Sequence, residues 1–173
     1  MLPIISRRLG VLAVIAIMSA STFPVNDVWV VREDGVGPVK IGMNLAQLNM
    51  VLHEKFSMPD SKDERGCFYV DPAKQAHIRF MIVRGRLARI DVNGAGVPTK
   101  EGVQVGDSEK RARQVYGPRM KVAPHAYTGP DGHYLTIRSS NGQYGIRFET
   151  DEGKIKTFYA GRSEAIQYIE GCQ

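Results

Sequence analysis

Residues 77–87 read HIRFMIVRGRL, and residues 145–155 repeat their pattern as GIRFETDEGKI, 68 positions (145 minus 77) further along the chain. In both segments Ile-Arg-Phe follows the first residue, and the last three residues are a glycine, a basic residue and an aliphatic residue. Upstream, IGMNL at 41–45 and VGDSE at 105–109 are offset by 64 positions (105 minus 41), and each places a helix-capping residue shortly after a glycine. Self-similarity at a nearly fixed offset is typical of a duplicated structural unit. The sequence predicts repeat one at about 39–92 and repeat two at about 103–161.

Within each repeat the hydrophobic pattern changes from helical to strand-like. Asn44 and Ser108 are predicted N-caps of helices that end near Phe56 and at Gly117. Downstream, apolar residues alternate with polar ones, as in a strand with one buried face. The predicted strands are 67–70, 76–83, 86–92, 133–138, 144–149 and 154–160, with 28–32 as an added edge strand. The predicted fold class is α+β: two tandem repeats of a helix plus an antiparallel β-meander, with the helices packed on one face of the sheet.

The N-terminus has the layout of a secretory signal peptide. Arg7 and Arg8 precede an apolar run at 9–18, and small residues follow it. That run is shorter than the roughly 20 residues that a membrane span requires. We expect a signal peptide at 1–20 and one mature domain at 21–173, made of the two repeats and a C-terminal tail. The expected location is the periplasm or the exterior, with no membrane span in the mature chain.

Composition favours a compact globular protein. Hydrophobic residues make up 43% of the chain and charged residues 24%, close to globular averages, so the composition disfavours disorder. Removing Arg7 and Arg8 lowers the net charge from +5 to +3 (5 minus 2). A mild positive charge in an exported protein favours a partner with an acidic surface, either a protein or an envelope polymer, over nucleic acid.

Two cysteines, Cys67 and Cys172, both lie in the predicted mature chain. In an oxidising compartment an even pair is interpreted first as a disulfide. Two buried free thiols are the alternative. A metal site is disfavoured, because neither cysteine has a Cys or His neighbour at finger-like spacing.

The sheet face opposite the apolar set is the predicted binding surface. Aromatic and arginine side chains are enriched at the energetic centres of protein interfaces. The alternative is an ordinary polar face, which one-sided antiparallel sheets generally have. Three other arginines, Arg84, Arg86 and Arg89, are interpreted as charges of a turn and a sheet edge. The predicted binding residues are His77, Arg79, Tyr134, Arg138, Arg147 and Glu149.

Catalytic patterns are missing from the sequence. It contains no Gly-x-Ser-x-Gly elbow, no His-Glu-x-x-His, no Ser-x-x-Lys and no phosphate-cradling glycine loop. His125 and His133 flank Tyr127 and Asp131, which would suit a metal or acid–base site, but hydrogen-bonded structural histidines explain this pair better. We therefore predict no catalytic residues, no metal and no cofactor.

Two features resemble the β-lactamase inhibitory protein superfamily. One is the helix opening that begins with a glycine, and the other is the meander that ends in Phe, Gly, a basic residue and an aliphatic residue. The resemblance covers about 39–161. A single such unit also resembles the small lipoprotein of the outer-membrane barrel-assembly machine. The resemblance implies helices layered on an antiparallel sheet and a role in binding another protein. It does not extend to the cysteines, because the inhibitor has a disulfide in each repeat.

These observations lead to a functional hypothesis of a secreted or periplasmic, non-enzymatic protein-binding module. The leading form of this hypothesis is inhibition of an envelope or secreted enzyme, or immunity against one. A cell-envelope assembly or structural factor is the alternative from another class, followed by a small exported hydrolase.

Overall fold

The computed structural model describes residues 28–60 and 66–172. The predicted signal peptide lies outside these residues. The described chain is a mixed α+β fold with two α-helices, a three-stranded sheet and a seven-stranded antiparallel sheet. No helix in the described ranges has both the length and the apolar character needed to cross a membrane.

Helix α1 (Leu45–Leu52) begins with a reciprocal capping box. The side chain of Asn44 accepts a hydrogen bond from the Gln47 amide at 2.9 Å, and the Gln47 side chain accepts one from the Asn44 amide at 3.0 Å. The helix ends at His53, whose backbone is left-handed (φ 54°), rather than near Phe56 as expected. Phe56 is instead held by the Asn49 side chain, which bonds both its amide and its carbonyl.

Helix α2 (Glu109–Tyr116) begins and ends where the sequence predicts. The hydroxyl of Ser108 accepts a hydrogen bond from the Arg111 amide, and Gly117 ends the helix with φ 53°. A glycine adopts this left-handed conformation without the steric cost that a side chain brings.

Ten strands form the two sheets. In chain order they are β1 (Val31–Arg32), β2 (Gly35–Val36), β3 (Val39–Lys40), β4 (Cys67–Val70), β5 (Ile78–Val83), β6 (Arg86–Val92), β7 (Lys121–Pro124), β8 (His133–Arg138), β9 (Tyr144–Asp151) and β10 (Lys154–Arg162). The small sheet has the order β1-β2-β3, and the large sheet has the order β4-β5-β6-β10-β9-β8-β7. The six strands predicted for the two meanders are therefore present in one sheet.

Two strand predictions need correction. The segment 28–32 was expected at the edge of the large sheet, but its strand β1 pairs with β2 in the small sheet instead. The reason is a distant contact: the Val31 amide donates to the Pro98 carbonyl, and the Val31 carbonyl accepts from the Lys100 amide, so both backbone groups are already used. Strand β7 was not predicted at all, because all four of its residues are exposed and no alternation marks it.

The β5–β6 and β9–β10 hairpins have matching registers. Phe80 lies opposite Ile90 in the first hairpin, and Phe148 lies opposite Phe158 in the second. Each hairpin also has one register shift, between Met81 and Ile82 on β5 and between Ile155 and Thr157 on β10. The two turns are Arg84-Gly85 and Glu152-Gly153, all four residues with positive φ, as two-residue hairpins favour.

The core combines one side-chain set of the large sheet with residues of both helices. Phe80, Phe148 and Phe158 are fully buried. Leu48 of α1 and Tyr116 of α2 belong to the same hydrophobic cluster, and the rings of Tyr116 and Phe148 have centroids 5.7 Å apart. The face of the large sheet that carries this phenylalanine set is called the inner face below, and the opposite face is the outer face.

Candidate functional site

A row of polar side chains crosses the outer face of the large sheet. The residues pair directly across neighbouring strands, so they project from the same side. From β5 to β8 the row is Arg79, Asp91, Tyr159, Arg147 and Thr136. Two predicted site residues, Arg79 and Arg147, therefore share one line of the sheet.

Three arginine–tyrosine stacks organise this face. In each, a guanidinium lies over a tyrosine ring at a distance that permits a cation–π attraction, worth about 0.5–2 kcal/mol depending on desolvation. The pairs are Arg79 over Tyr69 at 4.4 Å, Arg89 over Tyr159 at 4.3 Å and Arg147 over Tyr134 at 4.5 Å.

Arg89 is the most densely bonded of the three arginines and is only 3% exposed. Its Nε and Nη2 donate to the two carboxylate oxygens of Asp91 at 2.6 and 2.8 Å, and Nη2 also donates to the Tyr69 hydroxyl. Burial would lower the pKa of Arg89, but the Asp91 carboxylate outweighs it and raises that pKa. The interpretation of Arg89 as a sheet-edge charge is wrong: β6 is an interior strand, and Arg89 lies two residues before Asp91 on the same outer face.

The C-terminal tail, residues 163–172, covers part of this face. Nη1 of Arg89 donates to the carbonyls of Ala165 at 3.2 Å and of Tyr168 at 2.8 Å. Ile166 is fully buried, and a Cβ added at Gly145 on β9 would meet its Cδ1 at 2.8 Å. Glycine at 145 therefore lets the tail approach the strand.

A disulfide fixes the end of the tail. Cys67 on β4 is bonded to Cys172 with an S–S distance of 2.01 Å, which confirms the predicted pair. Disulfides form and persist in oxidising compartments, so the bridge indicates an extracytoplasmic environment.

A loop, residues 125–132, approaches the other side of the face. The His125 ring stacks on Tyr134 at 4.4 Å, and its Nε2 lies 3.6 Å from a Glu149 oxygen. Tyr159 donates a hydrogen bond to Glu149. Burial and the bond to Glu149 raise the pKa of Tyr159. The loop and the tail meet where the Tyr127 hydroxyl donates to the Glu170 carboxylate. We call the tail (163–172) and the loop (125–132) together the roof.

The six predicted binding residues divide into two environments. His77, Arg79 and Arg138 are exposed. Tyr134 and Arg147 are buried and Glu149 is partly buried, so this half of the predicted set does not form an exposed surface. The reason is the roof, whose residues show no periodic pattern from which their course could be predicted.

The six residues also differ in their contacts. Tyr134 and Arg147 form one stack, and His125 joins Tyr134 to Glu149. Arg147 Nε donates to the Thr136 hydroxyl at 3.1 Å, and burial lowers the pKa of Arg147.

The three exposed residues of the predicted set lie apart from one another. Arg79 pairs with Asp71 at 2.7 Å, and this hydrogen bond raises its pKa despite partial burial. His77 packs its ring against Gly94. Arg138 lines an edge cavity of about 570 Å³ together with Arg119 and Lys121.

The two histidines considered for an acid–base site serve different carboxylates. His133 Nδ1 lies 3.0 Å from an oxygen of Glu109, whereas His125 contacts Glu149. Glu109 also accepts hydrogen bonds from Thr150 at 2.7 Å and from Arg113. Burial alone would raise the pKa of Glu109, but the bonds from Thr150, Arg113 and His133 outweigh it and lower that pKa. The cluster binds the first turn of α2 to β8 and β9, beside a cavity of about 650 Å³.

Among residues 28–60 and 66–172, no three His, Cys, Asp or Glu side chains come together as metal ligands.

The chain matches no protein-family model, no curated protein and no solved structure.

Proposed function

We propose that this protein is a secreted or periplasmic, non-enzymatic module that binds another protein through the roofed outer face of its large sheet. The observation that carries the proposal is the exposure of two large side chains on the roof. Tyr127 is 67% exposed and Ile169 is 44% exposed, and the contact between Tyr127 and Glu170 brings them to one region of the surface. Exposed aromatic and aliphatic side chains on an ordered scaffold are typical anchors of protein interfaces.

The ordering of the roof favours binding. The disulfide to Cys67 and the two hydrogen bonds from Arg89 fix the tail, while the stack of His125 on Tyr134 fixes the loop. A surface that is already ordered loses little conformational entropy when a partner docks. The buried Arg147, Tyr134 and Glu149 act in this proposal as support beneath the interface.

Charge favours a partner with an acidic surface. Arg79 is exposed beside the roofed region, and the chain without its proposed signal peptide carries a net charge of +3 (5 minus 2). Guanidinium groups bind carboxylates with two parallel hydrogen bonds, which adds specificity to attraction. Inhibition of an exported enzyme, or immunity against one, is the role we propose for such binding.

We further infer that the two halves are tandem copies of one unit, with each helix packed on the inner face. Equivalent backbone bonds support this. Leu87 exchanges hydrogen bonds with Gly42 and Met43 at 2.8 Å each, and Ile155 exchanges them with Gly106 and Asp107 at 2.9 Å each. The matching registers of the two hairpins point the same way. With the short motifs quoted above, they support the resemblance to the β-lactamase inhibitory protein superfamily.

The test compares capture of partners by three forms of the mature chain. Wild type, the Tyr127→Ala/Ile169→Ala variant and the control Met50→Ala are each immobilised and exposed to envelope extract. Met50 is 74% exposed and lies on α1, away from the roof, so its loss removes a similar apolar group elsewhere. We expect one partner to be retained by wild type and by the control and lost by the roof variant. Retention by all three forms, confirmed with the purified partner, would rule out this interface.

A further inference from the structure

A cavity of about 410 Å³ opens between the β5–β6 turn, the end of β10 and the C-terminal tail. Its volume falls in the range of roughly 300–1,000 Å³ that small-molecule sites occupy. The charged residues of its lining are Arg84, Arg86, Arg162 and Glu164. Three positive charges against one negative charge leave a local excess of +2 (3 minus 1).

The arginines retain most of their hydrogen-bonding capacity. Arg84 and Arg162 are exposed and form no side-chain hydrogen bond or ion pair with any described residue. Arg86 uses Nη1 to donate to the Gly42 carbonyl at 3.0 Å. A guanidinium has five N–H donors, so the cavity offers far more donors than its residues use.

Both walls of the cavity are fixed before any ligand binds. On one side, Ala165 and Tyr168 line the cavity, and their carbonyls accept hydrogen bonds from Arg89. On the other, the turn is held by the paired strands β5 and β6. A preformed cavity loses little conformational entropy when a ligand binds.

The position of Arg84 adds a second observation. Its φ is 50°, in the left-handed region that Gly, Asn and Asp tolerate better than arginine does. The corresponding position in the β9–β10 turn is Glu152, of opposite charge. The β5–β6 turn therefore carries arginine at a backbone position that does not favour it. The Arg84 guanidinium lines this cavity and contacts no partner among the described residues.

We propose that this cavity binds a phosphoryl group carried by a small molecule or a lipid headgroup. A phosphoryl monoester has a charge of about −1.5 to −2 at neutral pH and three acceptor oxygens, which match the local excess of +2 and the available guanidinium donors. Arginine binds phosphate bidentately, so two or three guanidinium groups can share one phosphoryl group. The site shares the tail with the roof, but its three arginines lie outside the roof. Phosphate binding is measured without a protein partner, so the test does not depend on the roof interface.

The experiment measures binding of inorganic phosphate to the disulfide-bonded mature chain by calorimetry, with succinate as a dicarboxylate of similar charge. Arg84→Asn and Arg162→Gln are the site variants; Asn suits the left-handed turn. Arg111→Gln is the control, since Arg111 is an exposed arginine of α2 that lines neither this cavity nor the edge cavity of Arg138. Thermal unfolding verifies that every variant is folded. We expect each site variant to weaken phosphate binding at least about tenfold, as the loss of a charge-assisted hydrogen bond implies, and the control to bind as wild type does.

Vesicles distinguish the two sources of the phosphoryl group. Phosphatidylcholine vesicles with and without phosphatidic acid, which carries a phosphomonoester, are compared with glycerol phosphate in solution. Binding that requires phosphatidic acid and is lost in Arg162→Gln supports a headgroup, and binding to glycerol phosphate alone supports a soluble ligand. The proposal is overturned if wild type binds no phosphate, if succinate binds equally well, or if Arg111→Gln produces the same loss as the site variants.

Discussion

Arg89 on β6 donates a 2.8 Å hydrogen bond from Nη1 to the carbonyl oxygen of Tyr168, 79 positions later in the chain. The same guanidinium is bidentate to Asp91. One buried side chain therefore links an interior strand, a carboxylate and the tail that covers them.

Replacing Arg89 with Met is expected to reduce the free energy of unfolding by about 3–5 kcal/mol, because it leaves the partner carboxylate of a buried ion pair without its counter-charge. Urea denaturation measures the change. Arg79→Met is the matched control: it breaks an exposed pair with Asp71 and should cost less than about 1 kcal/mol. Arg89→Met/Asp91→Leu should recover part of the loss. Equal effects of Arg89→Met and Arg79→Met would contradict the central role of Arg89.

The Cys67–Cys172 bridge closes a separation of 105 residues. The chain-entropy model predicts that Cys67→Ser/Cys172→Ser loses about 4–5 kcal/mol of stability. We also expect amides of the tail to exchange hydrogen faster than those of β9. Reduced wild type should behave like the variant. Unchanged stability together with unchanged tail exchange would mean that the other contacts suffice to hold the tail.

Phe80 and Phe148 occupy equivalent positions of the two hairpins and are both fully buried. Replacing either with Ala should cost about 3–5 kcal/mol through lost burial and a residual cavity. Tyr127→Ala, an exposed aromatic position, should change stability by less than about 0.5 kcal/mol. A near-neutral result for both phenylalanines would show that the assignment of the inner face is incorrect.

Features set by local chemistry could be predicted from the sequence. Asn44 and Ser108 cap helices because their side chains accept hydrogen bonds from backbone amides within three residues. The inner set around Phe80 follows from two-residue alternation, and the Cys67–Cys172 pair follows from an even cysteine count in a chain that is predicted to be exported.

Features set by distant contacts could not be predicted. The partners of Arg89 in the tail lie 76 and 79 positions away. The register shift between β5 and β6 breaks the two-residue alternation between Leu87, on the inner face, and Arg89, on the outer face. Arg79 and Arg147 have the same local sequence pattern but different exposure. The roof covers only Arg147, and no local signal encodes its course.

Glu109 should make stability depend on pH in the acid range. Its folded-state pKa is lowered, so its stabilisation is fully present above the ordinary carboxyl value of 4.5 and is lost as pH falls through the lower folded value. Glu109→Gln is expected to cost about 1–2 kcal/mol at neutral pH, from weakened charge-assisted bonds. The difference from wild type should shrink below pH 4.5. Urea denaturation across pH measures it.

Two basic side chains contact this carboxylate, those of Arg113 and His133. The comparison is therefore repeated in a His133→Gln background, which removes the imidazole but keeps Arg113. The acid-range dependence should persist there. Its disappearance would assign the effect to the histidine instead of the carboxylate.

Arg79 and Arg147 should respond differently to the same substitution, although the proposed repeat would make them equivalent. Arg147 is 9% exposed, stacks on Tyr134 and donates to Thr136, so Arg147→Ala is expected to cost about 1–3 kcal/mol of stability. Arg79 is exposed, so Arg79→Ala should change stability by less than about 0.5 kcal/mol. With a partner captured through the roof, Arg79→Ala should instead weaken binding, and more so at low salt, because an exposed charge steers association through screened electrostatics. Titration of the purified partner at two ionic strengths tests this, with His133→Ala as the comparison, because His133 contacts Glu109 and lies outside the roof. If His133→Ala abolishes binding at constant stability while Arg79→Ala has no effect, the interface lies near Glu109 and His133 instead of the roof, and an acid–base role for that pair would have to be tested.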